Sequence, residues 1–211
     1  MKQWWAFVLA AVVVALDQAT KLAVKGFVLL GIEHRGMHLG ESIPLIGDTI
    51  RITYIENPGM AFGIEFGAAK IVLSLFSVLA AVAIGVVLHR LQERRAAWYL
   101  QLSFALLLAG AVGNLIDRVF YGVVYGEAPL FYGRVVDFLD VDIPDIRFGS
   151  FVLERWWVFN IADAAVTCGI VLLLAVGHHL PPLGQLLFVR HPHRDEKPVE
   201  KPSSPSNLHS Q

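Results

Sequence analysis

Four apolar stretches dominate this chain of 211 residues, and they decide what it can fold into. They run over roughly 4–24, 69–88, 97–116 and 158–179, each long enough for a helix to cross about 30 Å of hydrocarbon. Inside a bilayer every backbone polar group must be satisfied within its own segment, so such stretches have to be helices. The expected fold class is therefore an all-α membrane protein with four transmembrane helices. Composition agrees, because 55% hydrophobic and 17% charged side chains are far from the balance of a soluble domain. The first stretch resembles a secretory signal in having Lys2 before the apolar run Trp4 to Leu16. It continues, however, as "ALDQATKLAVKGF" with helix formers and no small-x-small cleavage site before Asp17, so it reads as a retained span.

Charge placement gives an orientation. The short connection "HRLQERR", 89–95, carries three arginines and the tail carries "RHPHRDEK", which the positive-inside rule puts in the cytoplasm. Both termini are then cytoplasmic, and 25–68 and 117–157 face outward. Trp4, Trp5, Trp98, Trp156 and Trp157 fall near span ends, as an aromatic belt requires. In the first outward segment "TIRITYIE" alternates apolar and polar residues after the turn signal "IGD", which predicts a strand and a small extracytoplasmic sheet. The organisation expected is a four-span membrane domain over 1–190 and a disordered cytoplasmic tail over 191–211, rich in Pro, Ser and charge.

Several functional classes drop out. A net charge of −1 and the lack of a basic stripe interleaved with aromatics argue against nucleic acid as a partner. The single cysteine, Cys168, allows no internal disulfide and no cysteine metal cluster, and it reads as a small buried apolar residue. None of the eight histidines forms an HExxH pair, so a zinc protease is not expected, nor any other metal or cofactor.

What remains is a set of polar residues that hydrocarbon should exclude. Asp17 and Lys21 lie four apart on the first span and share a helix face. Asn114 and Asp117 lie three apart at the outer end of the third span, followed by Arg118, and Asn160 and Asp163 repeat that spacing at the outer end of the fourth. Asp137 lies in the outward segment between them. Each group has a bland reading: Asn160 or Asp163 as a helix cap, Asp17 with Lys21 as a structural ion pair, Asp117 with Arg118 as an interfacial anchor. Those readings leave unexplained why three spans bring carboxylates and asparagines to one depth on one side, where each is costly.

Two carboxylates meeting in a partly desolvated site suppress each other's ionisation and tend to share one proton. The ionised partner can take a proton from water attacking a carbonyl. The protonated partner can polarise that carbonyl and donate to the leaving amine. With no serine, cysteine or metal constellation in the chain, this is the simplest hydrolytic chemistry open to it.

The blocks "DQATK" (17–21), "NPGMAFGI" (57–64), "GNLIDR" (113–118), "VVDF" (135–138) and "FNIAD" (159–163) resemble, in order and placement, the signature blocks of bacterial lipoprotein signal peptidases, the type II signal peptidases. Together they cover everything but the tail. The resemblance implies an aspartic endopeptidase of the bacterial inner membrane, with its active site on the periplasmic side. Such an enzyme removes the signal peptide of prolipoproteins by cutting before a diacylglyceryl-modified cysteine. It further implies that Asp137 and Asp163 form the catalytic dyad, and that Asp17, Lys21, Asn57, Gly59, Asn114, Asp117, Arg118, Asn160 and Ala162 bind substrate or support the site. Lipid-modified prolipoproteins and membrane lipid are the partners expected, for a monomer without cofactor. The segment "GMAFGI", with Gly59 and Gly63 beside Phe62, is expected to cover or gate the site.

Two insertions set this chain apart from the familiar pattern: "VFYGVVYGEAPLFYGR" after "GNLIDR", and the long segment before "FNIAD". The second brings Asp140, Asp142 and Asp145, which lack the glycine and terminal glutamate of an EF-hand loop and read as a solvated acidic loop. Asp140 is the rival to Asp137 as dyad member. A proton-coupled carrier relaying through Asp17, Asp117 and Asp163 is the competing function, disfavoured because the inner halves of the spans carry almost no ionisable groups.

Overall fold

The computed structural model describes residues 4–59, 69–142, 146–148, 151–153 and 157–176. Helix α1 spans Trp5–Lys25, α2 Ala69–Glu93, α3 Trp98–Ile116 and α5 Ile161–Val176. The first three stretches, Trp5–Lys25, Lys70–Glu93 and Trp98–Val124, are long and apolar enough to cross a membrane. The fourth is a shorter apolar helix of 16 residues, about 24 Å at the usual helical rise. Residues 177–179 of the expected fourth span and the tail lie outside the described residues.

The third span runs further than its hydropathy suggests. Past Ile116 it passes without a break into a π-helical turn, Asp117–Tyr121, and a last helical turn, α4, Gly122–Val124. Asp117 and Arg118 therefore lie within a continuous helix rather than at its end. Charged residues hide the continuation from a hydropathy reading, because here they are turned inward.

Packing follows residue size. Large apolar side chains such as Val8, Val12 and Leu16 on α1, Val72, Phe76 and Leu79 on α2, and Ile170, Val171 and Leu174 on α5 face outward. The inner contacts use small residues, as between membrane helices, where lipid already solvates large apolar groups and close backbone approach provides the attraction. Ala6 and Ala10 of α1 meet Ala105 and Ala109 of α3 with Leu88 of α2. Helix α3 is the hub, packed against α1, α2 and α5. On its α5 side a Cβ on Gly110 would stand 2.3 Å from the Ala162 carbonyl, and one on Gly113 would stand 2.7 Å from an Asp17 carboxylate oxygen. Cys168 does not fit the buried role expected of it: it is exposed on the outward side of α5.

At the end of the bundle where α1 stops, the chain forms small antiparallel sheets. Strands β1 (Phe27–Leu29) and β2 (Ile32–His34) make a hairpin, as do β6 (Ile146–Phe148) and β7 (Phe151–Leu153). Between them in the chain, β3 (Ser42–Ile46), β4 (Ile50–Asn57) and β5 (Val135–Val141) form a three-stranded sheet in that order. β4 is the strand expected from "TIRITYIE". Its pairing with β5 shifts between Ile52 and Ile55 and then sets Ile55 opposite Asp137, Glu56 opposite Val136 and Asn57 opposite Val135. One face of this sheet buries Tyr54, Val136 and Phe138 against Val24 and Tyr121. Pairing side by side, β4 and β5 bring "NPG" and "VVDF" together from far apart in the chain.

The outer edge of β5 is closed. The Val136 N–H donates to Asp117 Oδ2 at 3.2 Å, and the Phe138 and Leu139 N–H groups both donate to the Phe159 carbonyl, at 3.1 and 2.7 Å. Phe159 returns its own N–H to Leu139 at 3.0 Å. Free edges invite pairing with other chains, and here the approach to α5 occupies this one.

Candidate active site

The bond to Phe159 delivers the chain to the start of α5 with Asn160 as N-cap. Its Oδ1 accepts from the Asp163 N–H at 2.9 Å, while Asp163 Oδ2 accepts from the Asn160 N–H at 3.3 Å. This reciprocal cap satisfies two donors that a helix start leaves bare. A third, the Ala162 N–H, donates to Asp17 Oδ1 at 2.9 Å, so a carboxylate from α1 also sits at the positive end of α5. The cap reading of "FNIAD" is thus correct, and it does not exhaust these side chains.

Asn160 Nδ2 donates to Asp137 Oδ1 at 2.6 Å and also faces Asn114 Oδ1 at 3.1 Å. Asn114 Nδ2 in turn donates to Asp163 Oδ1 at 2.7 Å. The two aspartates are therefore tied to each other through two amides, Asp137 on β5 and Asp163 in the first turn of α5. Asn57, across the sheet, gives Asp137 a further side-chain hydrogen bond. Its Oδ1 accepts from the Gly59 N–H at 2.9 Å in a turn that needs the glycine, since Gly59 has φ +82°. Gly59 contributes that turn to the site, and Met60–Ile64, the rest of the expected gate, lie outside the described residues.

Beneath this layer Lys21 is fully buried. Its ammonium lies 2.9 Å from Asp17 Oδ2 and 2.8 Å from Asp117 Oδ2, and donates to Asn114 Oδ1 at 3.0 Å. The expected Asp17–Lys21 pair is present. The expected Asp117–Arg118 anchor is not what holds Asp117, which serves Lys21 and the Val136 N–H instead. Asp117 thus ties the strand bearing Asp137 to the helix bearing Asn114. Buried charges cost several kcal/mol each unless paired and hydrogen-bonded, and this triad meets both conditions.

Two participants were missed in the sequence. Gln18 Nε2 lies 3.1 Å from Asp17 Oδ2 and 3.0 Å from Asp117 Oδ1, and Tyr121 donates to Gln18 Oε1 at 3.1 Å. The signal for Gln18 was available, as a polar side chain one turn before Lys21 in an apolar span. Tyr121 had none, because the π-helical turn that aims it inward leaves no mark on hydropathy.

Arg118 lies close enough for its charge to act on Asp163, Asp117 and Asp137, and its Nε is buried without a hydrogen-bond partner among the described residues. It lines a groove of about 370 Å³ with Asn114 and Asp163, walled by Phe76 and Ala80 of α2 and Val166 of α5. The groove reaches Asp163 and Asn114, through which Asp137 is linked to it, and its walls are mostly apolar.

The charge balance favours one retained proton. Four carboxyl groups, Asp17, Asp117, Asp137 and Asp163, face two cations among the described residues, Lys21 and Arg118. Burial first, and then the Asp163 carboxylate, push the pKa of Asp137 up to about 7, against the opposing pull of hydrogen bonds from Asn160 and Asn57. Asp140 has no share in this. On β5 it points to the opposite face from Asp137 and accepts from the Thr53 hydroxyl at 2.6 Å. Asp145 lies outside the described residues.

The family model described as "Signal peptidase (SPase) II" matches residues 9–177. A lipoprotein signal peptidase of Chlorobium phaeobacteroides (strain BS1) is 40% identical over 170 residues, covering 80% of this chain and 92% of its own. One from Brevibacillus brevis is 38% identical over 172 residues, covering 81% and 92%. Among solved structures, a bacterial membrane enzyme determined in meso at 1.9 Å resolution superposes with a TM-score of 0.59 at 29% identity, over 81% of this chain and 90% of that one.

Proposed function

The chain belongs to the signal peptidase II family, a family of membrane-embedded peptidases, and from that premise we propose that it is an aspartic endopeptidase that removes signal peptides from diacylglyceryl-modified prolipoproteins. The observation that carries the reading is the coupling of Asp137 and Asp163 through Asn160 and Asn114 at the head of an apolar groove. Asp137 holds the shared proton. Asp163 takes a proton from the attacking water, and Asp137 polarises the scissile carbonyl and then delivers its proton to the leaving amine. The free Nε of Arg118 donates to a substrate carbonyl in the groove. Asn57, Asn114 and Asn160 orient the pair without adding charge, and Asp17, Lys21 and Asp117 fix the three elements that carry it.

In this reading α5 completes a fourth span and both termini are cytoplasmic, which puts the sheet and the dyad at the periplasmic boundary of the inner membrane. The enzyme works as a monomer. The substrate enters sideways from the lipid, its acyl chains against the walls of Phe76, Ala80 and Val166. Purified protein is expected to cleave a diacylglyceryl-modified prolipoprotein and to leave the unmodified form intact. Asp137→Asn and Asp163→Asn variants that insert normally are expected to be inactive, and substantial activity in either sinks the dyad assignment.

A further inference from the structure

The first insertion, 119–134, turns back from α4 to β5 and builds a second cavity of about 520 Å³ beside the sheet. Its lining includes Tyr54 and Glu56 of β4, Lys70 of α2, and Glu127, Tyr132 and Arg134 of the insertion. The insertion is held on three sides. Tyr125 donates to the Gly26 carbonyl at 2.6 Å, Ser74 of α2 donates to the Phe131 carbonyl at 2.9 Å, and the Gly133 N–H donates to the Arg118 carbonyl at 2.9 Å.

The charges here are unevenly matched. Glu56 accepts from Lys25 and Tyr54, and from Arg134 at 3.3 Å. Burial acts against its charge, and Lys25, Tyr54 and Arg134 together outweigh burial and hold its carboxyl below the usual range. Glu127 lies 2.8 Å from the Lys25 ammonium, which also sits 4.4 Å over the Tyr125 ring. Both carboxylates are thus matched by Lys25 and by one arm of Arg134. Arg134, about half exposed, bonds Glu56 through Nη1, and Lys70 makes no ion pair among the described residues. An anionic or hydrogen-bond-accepting group is what the cavity can take.

Its place relative to the dyad says which group. Arg134 lies three residues before Asp137 on the same run of chain, about 10 Å at the rise of a strand, and Glu56 adjoins Asn57. On α2, Lys70, Ser74 and Ser77 fall on one face, so the groove of the candidate active site and this cavity lie along one wall. A chain cut at the dyad, with its signal segment at the level of the spans, reaches the cavity with about three extended residues beyond the scissile bond. From this placement we infer that the cavity binds the first residues of the mature chain, and that Arg134 and Lys70 make it select acidic over basic side chains there. The inference rests on the peptidase reading above and deepens it. A lone phosphate-bearing lipid head group would share the chemistry but not the alignment with the dyad.

The test uses the full-length protein in nanodiscs of zwitterionic lipid and three diacylglyceryl-modified prolipopeptides that differ only at the second to fourth mature residues: all aspartate, all serine or all lysine. The wild type is expected to show a kcat/KM about three- to tenfold higher for aspartate than for lysine, the size two part-exposed charge pairs supply, shrinking in high salt. Arg134→Gln with Lys70→Gln is expected to bring that ratio near one, and Arg134→Glu to invert it. The serine peptide reports the active fraction of each preparation. Equal rates for all three peptides with the wild type overturn the inference and leave the peptidase reading standing, whereas cleavage of none overturns both. If the variants alter only the response to added anionic lipid, and not the peptide ratio, the cavity is a head-group site and the inference fails.

Discussion

Replacing Asp137 with asparagine is expected to stabilise the protein at pH 8 while abolishing cleavage. Asp137 is 3% exposed and its pKa is raised from 3.8 to about 7 by burial and by Asp163. Between those values the folded state holds a proton that the unfolded chain has released. The stability linked to this proton is fully present below about pH 4 and is lost as pH rises through about 7. At about 1.4 kcal/mol per pH unit the loss is at most about 4–5 kcal/mol. Asparagine keeps the shape, still offers an oxygen to Asn160 Nδ2, and has no proton to lose. The two proteins should therefore match at pH 4 and diverge above it, the variant gaining about 2–4 kcal/mol by pH 8. For a chain of this size that is a rise of roughly 5–10 °C in unfolding temperature. Thermal unfolding in one detergent, from pH 4 to 8, measures it. The same pH dependence in both proteins, or a variant less stable at pH 8, refutes the account of Asp137 as a destabilised, proton-holding carboxyl.

Other outcomes follow from the same geometry. Wild-type kcat/KM should fall as pH rises above about 7, as Asp137 loses the proton it must deliver, and a pH profile on one lipopeptide checks this. Lys21→Met leaves Asp17 and Asp117 buried without their cation and should cost about 3–5 kcal/mol, partly recovered by adding Asp117→Asn, as read by thermal unfolding. Gly110→Ala drives a Cβ to 2.3 Å from the Ala162 carbonyl, so α5 must move off α3. That should cost about 1–3 kcal/mol in the same unfolding measurement and lower the rate of cleavage as well. Asp163→Ala removes half of the reciprocal cap as well as a dyad carboxyl, and should lie about 1 kcal/mol below Asp163→Asn in stability.

The apolar helices, the strand at "TIRITYIE" and the unusual polar residues were legible in the chain because each is a local property: apolar length, alternation of two, a charge where hydrocarbon forbids one. Such signals mark that Asp17, Asn114, Asp117, Asn160 and Asp163 need partners. They do not say which partners, since Lys21 bridges α1 to α3 and Asn160 joins α5 to β5 across gaps of 93 and 23 residues. The continuation of α3 through Asp117–Tyr121 was not legible, because inward-facing charge and outward-facing charge look alike until neighbouring helices are in place. Nor was the cavity beside the sheet, since an insertion announces added length and not what it folds against. Sequence by itself determined a membrane-embedded chain with carboxylates set into its apolar segments. Only the tertiary structure decided how they are joined, because alternation along β5 turns Asp137 to Asn160, which links it towards Asp163, and turns Asp140 to the opposite face.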